Sequence, residues 1–165
     1  MSVKIYIPGD SGAVALGADR LAIKMAQALK SRDLDAEIVR NGSRGLYWLE
    51  PMVEVDTGTG RVAYGPVKPS DVDSLLEAGL LDGGEHALSL GLTEDLPFLK
   101  RQTRLTFARC GITDPLSLED YRNNGGLAGL TNAVAMRPEA IVAQVPESGR
   151  RGRGCGGFAT GIKWN

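Results

Sequence analysis

The sequence contains few of the residues that build metal sites and disulfide frameworks. Its 165 residues include two cysteines, Cys110 and Cys155, and one histidine, His86. The cysteines are far apart and form no Cys-x-x-Cys pair, so we expect no structural zinc site or sulfur-ligated cluster held by this chain alone. The same scarcity argues against a disulfide framework and fits a reducing cytoplasm.

Long apolar runs and a strong charge of one sign are also missing. No stretch approaches the roughly 20 apolar residues that a membrane-spanning helix needs. The N-terminal MSVKIYIPGD lacks the basic and then apolar pattern of a secretory signal. The formal net charge is −1, so no basic field indicates bulk nucleic-acid binding. We therefore expect neither a nucleic-acid partner nor a membrane span.

The first half of the chain has the pattern of a small α/β sandwich. Residues 3–7 and 36–40 are predicted strands, and residues 19–32 between them carry apolar side chains at helical spacing. Residues 52–56 and 61–64 flank Thr-Gly-Thr-Gly and predict a hairpin, which a second helix follows. A right-handed crossover would make the first two strands parallel neighbours. This order of elements predicts a thioredoxin-like fold.

The second half of the chain is less strongly patterned. Residues 80–91 are interpreted as a glycine-rich linker with room for a short strand near its end, and residues 95–109 favour a helix. Two further helices are predicted over 127–135 and 138–145, the second with a proline in its first turn. We divide the chain into a thioredoxin-like domain (1–91), a helical connector (92–147) and a glycine-rich loop (148–165).

That loop reads SGRRGRGCGGFATGIKWN. Glycines let backbone N–H groups approach a phosphate without obstruction, and a concave run of such donors binds anions. Arg153 and Lys163 would add charge-assisted hydrogen bonds, and Phe158 offers a flat face to a base or flavin ring. Composition alone fits a disordered tail equally well.

The loop resembles the flavin and NADH loop in the family of complex I flavoprotein subunits, whose usual form is SGLRGRGGAGFPTGxKW. The shared pieces are GRG at 152–154, GF at 157–158, TG at 160–161 and KW at 163–164. This family includes diaphorase subunits of NAD-reducing hydrogenases and of NAD-dependent, molybdenum-containing formate dehydrogenases. Its members use FMN, NAD(H) and iron–sulfur clusters.

The resemblance implies roles for seven loop residues. Those expected to line the flavin are Gly152, Arg153, Gly154 and Lys163, and those expected on the NAD(H) side are Gly156, Gly157 and Phe158. The loop departs from the family pattern at Arg150, which replaces leucine, at Cys155 and Gly156, which replace glycine and alanine, and at Ala159, which replaces proline. The loss of proline loosens the loop.

Residues 40–72 are similar to the second half of the thioredoxin-like [2Fe–2S] domain found in partner subunits of these enzymes. That domain carries a Cys-x₃-Cys pair where this chain has Ser43 and Tyr47. Neither side chain can replace a thiolate on iron, so we expect the fold without its cluster. Tyr47 and Trp48 are expected to plug the vacated space.

Together the two segments resemble most the beta subunit of cytoplasmic NAD-dependent formate dehydrogenase. The resemblance implies the N-terminal portion of a subunit that passes electrons from formate oxidation through iron–sulfur clusters and FMN to NAD⁺. The implied partners are a small thioredoxin-like [2Fe–2S] subunit and a catalytic molybdenum subunit. No residue is expected to act as acid or base. Because the family's remaining cofactor-binding segments lie downstream of the loop, we expect this chain alone to bind FMN poorly and to be inactive.

Two alternatives remain open. In the first, the thioredoxin-like domain is a non-catalytic assembly module that docks a partner subunit. In the second, the chain belongs to a diaphorase subunit of complex I or of an NAD-reducing hydrogenase.

Overall fold

A computed structural model describes residues 2–164, apart from the side chain of Cys155. Within that range the strands are β1 (Val3–Tyr6), β2 (Ala36–Val39), β3 (Val53–Asp56), β4 (Arg61–Tyr64) and β5 (Ser89–Leu92). The helices are α1 (Ser11–Ala15), α2 (Ala18–Ser31), α3 (Val72–Glu77), α4 (Pro97–Lys100), α5 (Leu118–Asn123), α6 (Ala128–Val134), α7 (Pro138–Glu147) and α8 (Thr160–Trp164). The chain divides into two compact units, Met1–Asp120 and Tyr121–Asn165.

The first unit is built on one mixed five-stranded sheet with the strand order β2-β1-β3-β4-β5. β1 and β2 are parallel, and α2 crosses between them. β3 pairs antiparallel with β1 and forms a hairpin with β4. A parallel βαβ unit joined to an antiparallel hairpin and a helix is the thioredoxin-like plan, so the fold predicted from the order of elements is confirmed.

The main core lies between the sheet and the helices α2 and α3. The apolar face of α2, including Leu21 and Met25, is fully buried, as its helical spacing predicts. It packs in one cluster with Leu75 of α3 and with Ile5 and Val55 of the sheet. This packing holds the strands in place, and the segments that cover the other face of the sheet begin at the ends of these strands.

The opposite face of the sheet is covered by the chain after β2 and by α4. A second apolar cluster there joins Leu46, Met52, Ala63 and Leu99. The predicted helix over 95–109 is wrong beyond α4, because residues 101–112 form turns and irregular backbone. The Arg104 guanidinium donates to the carbonyl oxygens of Arg44 (3.3 Å) and Cys110 (3.5 Å), so contacts with other segments determine the path of this one.

The second unit contains α6, α7 and α8, and the two helices predicted over 127–135 and 138–145 correspond to α6 and α7. α8 lies close against the end of α7. Gly161 is the buried residue of α8, and a Cβ there would lie 2.6 Å from Cγ of Pro146. Only glycine permits this approach, which anchors the C-terminal side of the glycine-rich loop.

Candidate functional site

The glycine-rich loop leaves α7 and returns into α8 as a short hairpin-like turn. The amide of Thr160 donates to the Arg150 carbonyl oxygen (3.0 Å), and the amide of Gly152 donates to that of Phe158 (2.8 Å). Between these bonds Arg151 and Ala159 form an isolated antiparallel bridge. The base of the loop is therefore paired, while its tip is free to face a ligand.

The tip presents unpaired backbone donors. Gly156 has a φ of 83° and Gly157 a φ of 52°, backbone conformations that favour glycine. Among the residues that the structure describes, the amides of Arg153 and Gly154 make no hydrogen bond. Consecutive amides that are not taken up by secondary structure form an anion-binding concavity. The amides of Arg153 and Gly154 are thus available as donors to an anion.

Three arginines add positive charge to this loop. Arg150, Arg151 and Arg153 are exposed, and within the described chain none forms an ion pair. Together with neighbouring residues from Ser148 onward they line an open depression of about 570 Å³. Guanidinium groups without a carboxylate partner are available to form bidentate bonds with phosphate.

Phe158 and Lys163 lie together beside the loop. The Phe158 ring is 49% exposed, and Nζ of Lys163 lies 5.7 Å from its centroid. This distance is within the range of a cation–π contact. The seven residues expected at a cofactor site therefore belong to one loop and the helix that closes it. The described donors fit a phosphate group, and the exposed ring fits a stacked base; the Cys155 side chain lies outside the described residues.

In the first unit, Ser43 takes part in a local hydrogen-bond arrangement. Its Oγ donates to Glu50 Oε1 (2.5 Å) and accepts from the Gly45 amide (2.9 Å). The expectation that Tyr47 and Trp48 plug the vacated space is wrong, because their side chains are 65% and 61% exposed. Ser43 therefore stabilises a loop, and Tyr47 belongs to an exposed surface.

Glu50 is a buried acid at the end of the loop that begins at Ser43. Its side chain is only 6% exposed, and within the described chain Oε2 has no hydrogen-bond partner. Burial raises the pKa of Glu50 above its ordinary value, and the charges of Asp10 and Glu54 raise it further, while the bond from Ser43 acts in the opposite direction. Protonation of this carboxyl is therefore favoured by folding.

A buried ion-pair network holds the loop of residues 43–50 to the sheet. Arg44 donates to both carboxylate oxygens of Glu54, with distances of 3.0 and 2.8 Å, and to Glu94 at 2.9 Å. Burial lowers the pKa of Arg44, but the two carboxylates more than offset this and raise it. The guanidinium of Arg61 stacks 3.3 Å from the centroid of the Tyr6 ring and lies 3.7 Å from Glu54.

Sequence reasoning missed this network. The available signal was a glutamate in the middle of an apolar strand, since Glu54 is flanked by Val53 and Val55. A charged residue at a buried strand position requires an opposite charge, which Arg44 supplies. Among the described side chains, which exclude that of Cys155, no group of three or more histidine, cysteine or acidic residues could hold a metal ion. None of the described helices is long and apolar enough to cross a bilayer.

Comparison with known proteins places part of this sequence among electron-transfer subunits. It is 46% identical over 65 residues to the NADP-reducing hydrogenase subunit HndC of Solidesulfovibrio fructosivorans, and the aligned residues cover 39% of this chain and 13% of that protein. It is 52% identical over 48 residues to an NADH-quinone oxidoreductase subunit of Streptomyces coelicolor, covering 29% and 11%. Part of this chain is homologous to these subunits. The corresponding subunit of Escherichia coli is 42% identical over 52 residues.

The chain spans only a small part of these relatives, 13% of the hydrogenase subunit and 11% of the Streptomyces subunit. No protein-family model matches it. Among solved structures, a thioredoxin-like [2Fe-2S] ferredoxin from Aquifex aeolicus is similar, with a TM-score of 0.46 and 22% identity over 55% of this chain and 97% of that one. A second structure of such a ferredoxin has a TM-score of 0.48, with 19% identity over 58% and 96%.

Proposed function

We propose that this chain is the N-terminal portion of a flavoprotein subunit that passes electrons through iron–sulfur clusters and FMN to NAD⁺. The observation that carries the proposal is the pair of free amides at Arg153 and Gly154 beside three guanidiniums without an ion pair. Homology to subunits of an NADP-reducing hydrogenase and of NADH-quinone oxidoreductases supports an NAD(P)-linked electron-transfer module.

In this proposal the loop residues bind and orient the cofactors. The tip amides and Arg153 hold phosphate oxygens, and Phe158 with Lys163 supports a flat ring. FMN, when bound, supplies the exchange between hydride and single-electron transfer. The protein needs no acid or base for hydride transfer, so no side chain of this chain is assigned to proton transfer.

A titration of the full chain tests the loop assignment. We expect FMN and NADH to shift the backbone NMR signals of residues 150–163. We expect Arg153→Gln to weaken the binding of both ligands by at least about fivefold, because charge-assisted hydrogen bonds are lost. Arg137→Gln is the matched control, because Arg137 is an exposed arginine of the same unit outside the loop. Shifts scattered over the chain, or equal effects of the two variants, would contradict the assignment.

We further propose that formate is the electron donor. The chain would then belong to a cytoplasmic complex that includes a small thioredoxin-like [2Fe–2S] subunit and a catalytic molybdenum subunit. It is supported by the resemblance of residues 40–72. The second candidate is a hydrogenase or complex I diaphorase subunit, which the names of the homologues favour. The assembled complex separates the two, because reduction of NAD⁺ by formate supports the first, and reduction by hydrogen, or oxidation of NADH by a quinone, supports the second.

A further inference from the structure

We propose that Arg150 gives the glycine-rich loop a preference for NADP(H) over NAD(H), because its guanidinium binds the phosphate that only NADP(H) carries. The inference rests on the proposed function, since it narrows the dinucleotide that the same loop takes. The distinguishing group is a phosphate monoester on the ribose of the adenosine half. Such a group carries a charge of about −1.5 to −2 at pH 7.

The loop has positive charge that no acidic side chain of its own balances. Residues 148–165 contain four basic side chains and no acidic one. The carboxylate nearest in sequence, that of Glu147, does not line the depression of about 570 Å³ beside the loop. The side of that depression is formed by residues that include Arg150, Arg151 and Arg153. Because like charges along one depression repel each other, the site favours a ligand with more than one negative charge.

Arg150 lies at the base of the loop, apart from the tip that the proposed function uses. Its carbonyl oxygen accepts from the Thr160 amide (3.0 Å), and its own amide donates to Oγ of Ser148 (3.3 Å). The backbone is therefore held in place, while the side chain is exposed and forms no ion pair within the described chain. The related loop pattern has leucine at this position, so Arg150 adds a guanidinium to it. This extra donor is available for a second phosphate.

Arg150 also lines a groove of about 800 Å³ that α6, α7 and α8 share. Its other lining side chains include those of Met136, Ile141 and Trp164, and the Trp164 side chain is 54% exposed. Apolar and aromatic side chains of this kind accommodate the flat face of a base. A guanidinium at the edge of such a groove suits a phosphate on the attached ribose, because its planar fork matches phosphate oxygens.

Parallel NMR titrations of the full chain with NADPH and NADH test the inference. We expect NADPH to bind at least about fivefold more tightly than NADH, because it gains charge-assisted hydrogen bonds. Arg150→Leu should bring the two affinities to about the same value. Arg150→Lys should leave an intermediate preference, because lysine keeps the charge and loses the planar fork.

Two further variants serve as controls for the ratio of the two affinities. Arg137→Leu should leave the ratio unchanged, because the Arg137 side chain is 88% exposed in the same unit outside the loop. Arg153→Gln should weaken both dinucleotides and leave the ratio unchanged, since Arg153 is assigned to a phosphate that both of them carry.

Competition identifies the source of the bound phosphate. Displacement of NADPH by adenosine 2′-monophosphate at lower concentrations than by inorganic phosphate supports a site for a phosphorylated nucleoside. Equal displacement by the two competitors would reveal simple attraction of anions and would overturn the inference.

The outcomes separate this inference from the proposed function. Equal affinities for NADPH and NADH, or a preference that survives in Arg150→Leu, would overturn the inference, while binding of FMN and NADH at residues 150–163 would still support the proposed function. Absence of any shift of these residues with FMN, NADH and NADPH would contradict both.

Discussion

At the scale of single residues, Glu54 is the buried acid that pairs with Arg44. It is 1% exposed and accepts two hydrogen bonds from Arg44, which is itself buried. Two charges removed from water remain tolerable only while they stay paired. Their pairing therefore maintains the position of the loop that leads from Arg44 to Tyr47 and Trp48.

Replacement of Glu54 by glutamine should lower the free energy of unfolding by about 3–5 kcal/mol, because it leaves the buried guanidinium of Arg44 without its buried counter-charge and with only the exposed carboxylate of Glu94. Glu94→Gln removes the other carboxylate that pairs with Arg44, but the Glu94 side chain is 72% exposed. That control should cost less than about 1 kcal/mol. Urea unfolding of the two variants measures the difference, and similar losses would contradict the role given to Glu54.

Glu50 leads to a prediction about pH. Its folded pKa is raised above the ordinary value of 4.5, so its favourable contribution is fully present below that pH and is lost as the pH rises through the folded pKa. Glu50→Gln removes this loss while it keeps an oxygen that can accept from Ser43. The free energy of unfolding of the variant should therefore rise relative to the unmodified chain as the pH increases from 4 towards 7, about the range in which an elevated carboxyl titrates.

Urea unfolding at a series of pH values provides the measurement for Glu50. A difference between variant and parent that does not change with pH would show that the carboxyl titrates normally. Asp82→Asn, a change at an exposed carboxyl, serves as the comparison.

At the scale of elements, the turn around Gly111 is fixed by contacts with the sheet. Arg61 of β4 donates to the carbonyl oxygens of Gly111 (2.9 Å) and Ile112 (2.8 Å), and Asn41 also donates to Gly111 (2.7 Å). Gly111 has a φ of 78°, and a Cβ there would collide with the side chain of Arg44. The glycine is needed for both its backbone conformation and its small size.

Gly111→Ala should therefore destabilise the protein more than a glycine replacement that meets the backbone penalty alone. Gly91 is the matched control, because its φ is 79° and nothing lies within 4 Å of the added methyl group. We expect Gly91→Ala to cost about 1–2 kcal/mol and Gly111→Ala to cost more, because Arg44 must also move. Thermal unfolding of both variants measures this, and equal shifts would contradict the close approach.

The same elements show which features of the fold could be predicted. Residues in β1 to β4 and α2 have periodic apolar patterns that local sequence determines, and the structure places them as predicted. The segment after α4 was assigned wrongly because bonds from Arg104 and Arg61 to distant carbonyl groups override its helical tendency. Such contacts between remote positions leave no periodic signal in the sequence.

At the scale of the whole molecule, the roles proposed for the loop residues in the second unit come from their resemblance to a family motif, which does not predict how open the loop is. Gly152, Arg153 and Gly154 are exposed, and Phe158 is half-exposed. A ring stacked on Phe158 would thus be supported on one face by the described residues of this unit. The sequence motif specifies donors, whereas the enclosure of a ligand depends on packing around it.

We therefore expect the purified chain to bind FMN weakly and to retain no flavin through gel filtration. A visible absorbance spectrum of the protein peak, compared with free FMN at the same concentration, makes the measurement. Co-elution of stoichiometric flavin would show that the loop encloses the cofactor more completely than its exposed residues indicate.

The chain has two tryptophans, and each compact unit contains one, Trp48 in the first and Trp164 in the second. Both are more than half exposed, so the fluorescence of each responds to what approaches its own unit. Replacing one tryptophan by phenylalanine makes the other a single intrinsic probe. The emission of this protein can thus follow events at each of its two units separately, without any attached dye.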